Sequence, residues 1–305
     1  MKSKRALGSF LTLFGASCWG ISGCVGQYLF DVQGMDSRWL VPIRLGCAGI
    51  LLLAWYLIRR GRAVLDPWRT PRNARDLVIY GLLGVSACQF LYFTTIQYSS
   101  AGVATILQDV SPVIILAIVC LQQKRRPAVR ELLSVLMAIG GVFLLTTHGS
   151  LTELVISPTA LFTGLLSAVA VVVYTMWPRE LQRQYPTPML QGWAFLMGGA
   201  AFSLVFRPWE FHYVPNAMGL LGIAVVVLVG NVLAFSCYMS GVRLIGPQRS
   251  SLYSFAEPFV AALISITLLG TPFTWWDAAG FACIFVMLVL LSADGGNKKN
   301  EEPEA

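Results

Sequence analysis

Ten apolar runs of membrane-crossing length take up nearly all of this 305-residue chain, and its basic residues are sorted between the gaps. The runs are 6–29, 37–58, 77–97, 101–121, 129–147, 159–177, 188–206, 216–242, 248–270 and 273–293. A hydrocarbon core of ~30 Å needs about 20 helical residues. Backbone in lipid must also satisfy its own hydrogen bonds, so each run reads as a transmembrane helix. The alternation of a barrel strand is absent. If all ten runs cross, 19 of the 22 Lys and Arg residues fall on one side. They lie in the N-terminus (Lys2, Lys4, Arg5), the second loop (Arg59 to Arg75), the fourth (Lys124 to Arg130), the sixth (Arg179, Arg183), the eighth (Arg243, Arg249) and the tail (Lys298, Lys299). Only Arg38 and Arg207 fall on the other side, and Arg44 lies within the second run. Basic loops mark the cytoplasmic side, so both termini are expected there, in a multi-pass plasma (inner) membrane protein.

Composition agrees: 56% of residues are hydrophobic and 12% charged, against about 25% charged in soluble domains. The net charge of +7 arises from topology rather than from a nucleic-acid surface. Cys18, Cys24, Cys47, Cys88, Cys120, Cys237 and Cys283 all lie in apolar stretches, without metal-ligand spacing, and read as small buried hydrophobes. His148 and His212 fall in loops on the far side. No metal site, cofactor or catalytic centre is expected. The first apolar run is longer than a signal-peptide core and reads as an uncleaved span. The loops are too short for an ectodomain. The polar residues 294–305 read as a disordered cytoplasmic tail.

The chain repeats itself weakly. With an offset of 146, Tyr92 meets Tyr238, and Ser111-Pro112 meets Glu257-Pro258. In the first spans of each half, Trp19 can face Tyr174, and Ala48-Gly49 can face Gly198-Gly199. Residues 1–147 and 148–293 thus form two five-span repeats. An odd number of crossings inverts the second copy, an arrangement suited to alternating access with the solute site near the midplane at broken helices. Pro112 and Pro258 are the expected breaks or hinges. Each removes an amide donor and disturbs the carbonyl four residues back, at Gln108 and Ser254.

Ionisable groups within spans are costly and point to function or pairing. They are Arg44, Asp109, Glu257 and Asp277. Asp277 follows Trp275-Trp276 and reads as an interfacial acid. Asp109 and Glu257, beside the paired prolines, are candidates for solute binding or for coupling, by giving up a proton when a cation approaches. Arg44 reads as a structural partner or fixed counter-charge, paired with Asp109, with Glu257 or with neither. Candidate solute-binding residues are Trp19, Gln89, Tyr92, Gln108, Asp109, Tyr174, Asn231, Tyr238, Tyr253 and Glu257; Gln27, Gln97 and Trp193 are further polar or aromatic groups within the spans. Aromatic walls with a few polar groups suit a small organic solute.

These residues resemble the ten-helix drug/metabolite transporter superfamily, in its EamA-like branch, over residues 6–293. The resemblance rests on AGVATILQDVSPVIILAI of span four, SSLYSFAEPFVAALI of span nine, LYFTTIQYSSAG between spans three and four, and Arg44 in PIRLGCAG. Glu257 matches the family's acidic position before the second proline, and Ser111 its first-half counterpart. The Gly-Glu pairs that usually follow the proline spans read Gln123-Lys124 and Gly270-Thr271 here. The resemblance implies two inverted five-helix bundles around a central cavity, with spans five and ten peripheral. It implies transport, typically export, of amino acids or related metabolites, in contact with the lipid bilayer and with protons as a possible coupling ion. Multidrug or nucleoside-type efflux is the alternative, ahead of a non-transporting sensor or a lipid-modifying enzyme. The sequence specifies no oligomeric state.

Overall fold

In the computed structural model, residues 2–150, 153–177, 179–246, 250 and 253–294 are described. Arg249, Lys298, Lys299 and the tail beyond Asp294 lie outside them. No strand occurs among the described residues. Ten helical rods run in order: α1 Lys2–Asp31, α2 Ser37–Arg60, α3 Pro71–Tyr98, α4 Ala101–Gln122, α5 Val129–Thr147, α6 Pro158–Met176, α7 Thr187–Phe206, α8 Ala217–Ile245, α9 Ala256–Thr267 and α10 Trp275–Asp294. Eight are long and apolar enough to cross a bilayer, and Ala256–Thr267 and Trp275–Leu291 are shorter apolar helices. Large apolar side chains such as Phe10, Ile58, Leu121, Leu204 and Phe259 face outward, the reverse of a water-solvated surface.

The second loop departs from expectation. It is a 3₁₀ helix, Gly61–Trp68, followed by α3 from Pro71, because the polar residues RNARD can wind helically outside the lipid. A short helix, Arg179–Gln184, precedes α7. On the opposite face, where the even-numbered helices begin, side chains cap the exposed amides: Asp36 for α2, Ser100 for α4, Ser157 for α6 and Asn216 for α8. Such caps are worth about 1 kcal/mol each.

The two halves interlock. α1 packs on α8 and α9 of the second half, and α6 correspondingly packs on α3 and α4 of the first. α2 packs on its own counterpart α7, and α5 on α10. This is the contact pattern of two inverted repeats about a pseudo-two-fold axis. Small residues permit the closest crossings: a Cβ on Gly199 would stand 2.5 Å from the Gly46 nitrogen, and one on Gly20 would stand 2.6 Å from the Glu257 carbonyl oxygen. The paired glycines of α2 and α7 therefore meet across the axis. α5 and α10 form a satellite core around Leu145, Ile284 and Met287.

Two irregularities recur in both halves. α4 breaks into Ala101–Gln108 and Ser111–Gln122, with a turn at Asp109-Val110. α9 is preceded by the matching turn at Ser254-Phe255. α3 and α8 each contain an eight-residue π-helical segment, Ile79–Ser86 and Val226–Leu233. The sequence pattern does not announce these segments, although single π turns cluster at functional sites.

Candidate functional site

Breaks and π segments converge on one cavity of about 330 Å³ between the halves. Of the residues singled out from sequence, Trp19, Arg44, Gln89, Tyr92, Gln108, Asp109, Tyr174, Asn231, Tyr238 and Glu257 line it. Tyr253 does not: it is half-buried and stands outside the lining. Pro112 and Pro258 are also outside the wall; they sit in the first turn of the helix that restarts after each break. α5 and α10 contribute nothing to the lining. Sequence reasoning missed Ser22, Tyr80, Phe93, Gln191 and Phe195; of these only Gln191, an amide within a span, carries a mark that could have found it.

The wall is aromatic and polar by turns. Trp19 packs on Tyr238 with ring centroids 4.9 Å apart. The Tyr92 hydroxyl shares a 2.9 Å hydrogen bond with Thr105. Gln108 accepts from the Cys88 thiol at 3.3 Å, and Tyr80 donates to Gln191 at 2.8 Å. Asp109 lies in the α4 turn. Glu257 lies in the first turn of α9, held against α1 at Gly20. The helix breaks thus deliver one carboxyl from each half, and α4 packs against α9.

Arg44 is 1% exposed. Its guanidinium donates to Gln89 and lies 3.6 Å above the Phe93 ring centroid. No ion pair joins it to a carboxylate among the described residues, so of the three possibilities, Asp109, Glu257 or neither, the geometry shows neither. A desolvated cation–π contact contributes about 2 kcal/mol, less than the several kcal/mol that burying a charge costs. Arg44 Nε and Asn231 Nδ2 have no acceptor among the described residues.

The cavity is asymmetric along the membrane axis. It runs from Arg44 and Phe93 to Gln182 and Thr187 on the basic face, the face that carries Arg59–Arg75, Arg183 and Arg243. Beyond Phe93 the opposite face is tied shut. Phe30 packs edge-on against Phe93 at 6.1 Å. Gln27 accepts from the Ala101 amide at 3.0 Å and from Ser265 at 3.1 Å, and donates to Thr271 at 3.1 Å and Asp31 at 3.3 Å. One side chain of α1 thus joins α4 and the α9 end. Gln97 likewise accepts from the Ser37 amide at 2.8 Å. Gln27 and Gln97 therefore belong to the closed face rather than to the cavity wall.

The remaining intramembrane acid has a separate role. Asp277 accepts from the Thr274 amide and hydroxyl at 2.7 and 2.8 Å, and meets His148 Nε2 at 3.1 Å. It caps α10 and joins the ends of α5 and α10, so His148 is not the isolated loop residue the sequence suggests. Cys47, expected to be buried, is exposed, and Cys237 and Cys283 are half-buried.

Comparison with known proteins places this architecture. A protein of Salmonella typhimurium described as the uncharacterized inner membrane transporter YicL is 36% identical, over 94% of this chain and 95% of its own length. The uncharacterized inner membrane transporter YedA of Escherichia coli is 26% identical, over 92% of this chain and 91% of its own. A crystal structure titled only as that of a protein shares the fold, with a TM-score of 0.62 and 17% identity over 99% of this chain and all of that one. Residues 6–147 and 158–293 each match the EamA-like transporter family. The chain therefore belongs to the EamA-like transporter family and is a multi-pass membrane transporter.

Proposed function

We propose that the protein is a secondary transporter that exports a small organic solute, an amino acid or related metabolite, by alternating access, with both termini in the cytoplasm. One observation carries this reading: the cavity is lined by both inverted halves, reaches the basic face and is tied shut at the other. Basic loops favour the cytoplasmic side, so this arrangement is the cytoplasm-facing one. Inverted halves that exchange conformations would open the opposite face and close this one. The turns before Pro112 and Pro258 serve as the hinges. Asp109 and Glu257, standing at those turns, are the groups through which a proton gradient would act. Ring-lined walls also suit a cationic drug or a nucleoside, so the test includes them.

Purified protein in liposomes should carry at least one solute from a panel of amino acids, nucleosides and cationic dyes. Glu257→Gln should lower that flux at least about tenfold while leaving thermal stability intact. Wild-type flux in that variant removes Glu257 from the mechanism. A panel without any flux contradicts the reading as a whole.

A further inference from the structure

We infer that Arg44 and Asn231 form a carboxylate-binding subsite at the blind end of the cavity, so that the solute must present a free carboxylate there. The inference rests on the transport reading above and adds the orientation and the obligatory group of the solute.

Among the described residues, two buried side-chain atoms of the cavity wall lack a partner, Arg44 Nε and Asn231 Nδ2, and both are donors. Their residues are 1% and 3% exposed, so bulk water does not solvate them. The helices that bring them, α2 and the π-helical segment of α8, pack on each other. An unmatched donor needs an acceptor, and an uncompensated guanidinium needs an anion. A carboxylate supplies both: two oxygens with about four lone-pair sites, in the planar geometry that matches an arginine fork. Gln89 and Phe93 already hold the guanidinium in place, so little ordering is left for the ligand to impose.

The acids stand elsewhere. Asp109 and Glu257 come from α4 and α9, which pack on each other rather than on α2. Cys88 and Tyr92, one turn apart on α3, line the same cavity as Arg44 and Glu257. The cavity therefore has a cationic, donor-rich end and an acid-lined side. A zwitterion whose ammonium faces the acids and whose carboxylate faces Arg44 matches both. A phosphate dianion brings a second negative charge into a chamber that already holds two carboxyls.

The test measures binding of phenylalanine, leucine and threonine, each against its carboxamide, to purified full-length protein by thermal shift and calorimetry. At about pH 6 the amide keeps the ammonium and side chain and lacks only the anionic group, so the main comparison needs no variant. At least one amino acid should bind about 10- to 100-fold more tightly than its amide. Asn231→Leu should shrink that ratio. Equal affinity for acid and amide overturns the subsite, and so does a panel in which no amino acid binds. Discrimination in binding without flux in liposomes would keep the subsite and remove the transport reading.

Discussion

Replacing Gln27 by leucine should unlatch the closed face. The substitution keeps the approximate volume of the side chain and removes four hydrogen bonds, two accepted from Ala101 and Ser265 and two donated to Thr271 and Asp31. Ala101 is fully buried and Ser265 is 2% exposed, so their donors lose their acceptor without water to replace it. A buried bond contributes about 1 kcal/mol net, and a stranded donor costs about 1–3 kcal/mol. The closed face should therefore lose roughly 2–4 kcal/mol, which shifts a two-state equilibrium about 30- to 1,000-fold. Cys24 reports the shift: it lies one turn before Gln27, is 2% exposed, and donates to the Ala261 carbonyl at 3.2 Å. With Cys24 as the sole cysteine, a membrane-impermeant maleimide applied to the face opposite the basic loops should label it faster by at least about tenfold in Gln27→Leu. Labelling within threefold of the parent, with unchanged thermal stability, would refute the claim that this network holds the face closed.

Two predictions concern the membrane surfaces. Burial works to raise the Asp36 carboxyl, but the Arg38 hydrogen bonds, including one from its backbone amide at 2.7 Å, outweigh it and hold the group below the usual carboxylate range. The folded value lies below the unfolded one, so its stabilisation is present above the unfolded value, about pH 4, and is lost as pH falls through the folded value. Thermal melts of Asp36→Ala and wild type should thus differ by about 1 kcal/mol at neutral pH and converge in strong acid. Glu131, 4% exposed, receives both terminal nitrogens of Arg125 at 2.7 Å and the Ala128 amide at 2.7 Å. Arg125→Ala should cost about 2 kcal/mol, less than the 3–5 kcal/mol of a fully buried pair because the stranded Glu131 keeps the Ala128 amide as a donor; calorimetry of purified protein would show it.

The spans were legible because lipid demands long apolar helices, and α2, α5 and α7 begin and end within two residues of the hydrophobic runs. α3 starts earlier, at Pro71, since helix winding continues where hydrophobicity stops. The expected breaks are Pro112 and Pro258, and the turns lie just before them, at Asp109-Val110 and Ser254-Phe255. The π segments of α3 and α8 were not foretold, because a shift from i→i+4 to i→i+5 bonding leaves no trace in composition. Arg44 shows what depth alone conceals. Its position within a span was plain, but its contacts, an amide and a ring rather than a carboxylate, depend on which walls α2, α4 and α9 contribute to the cavity. Gln27 and Gln89 are the same residue type within apolar spans, yet Gln27, two residues from the end of its span, belongs to the closed face and Gln89, in the middle of its span, to the cavity.

Alternating access requires a solute path that faces one side at a time. Cys88 lines the cavity between the halves, and a chain with Cys88 as its sole cysteine, in oriented vesicles, probes that path from either face. An impermeant thiol reagent should reach Cys88 from the basic face in resting protein, and from the opposite face only when transported solute drives exchange or when Gln27 is replaced. Equal labelling from both faces at rest, as in an open pore, or labelling from neither face under exchange, would contradict alternating access through this cavity.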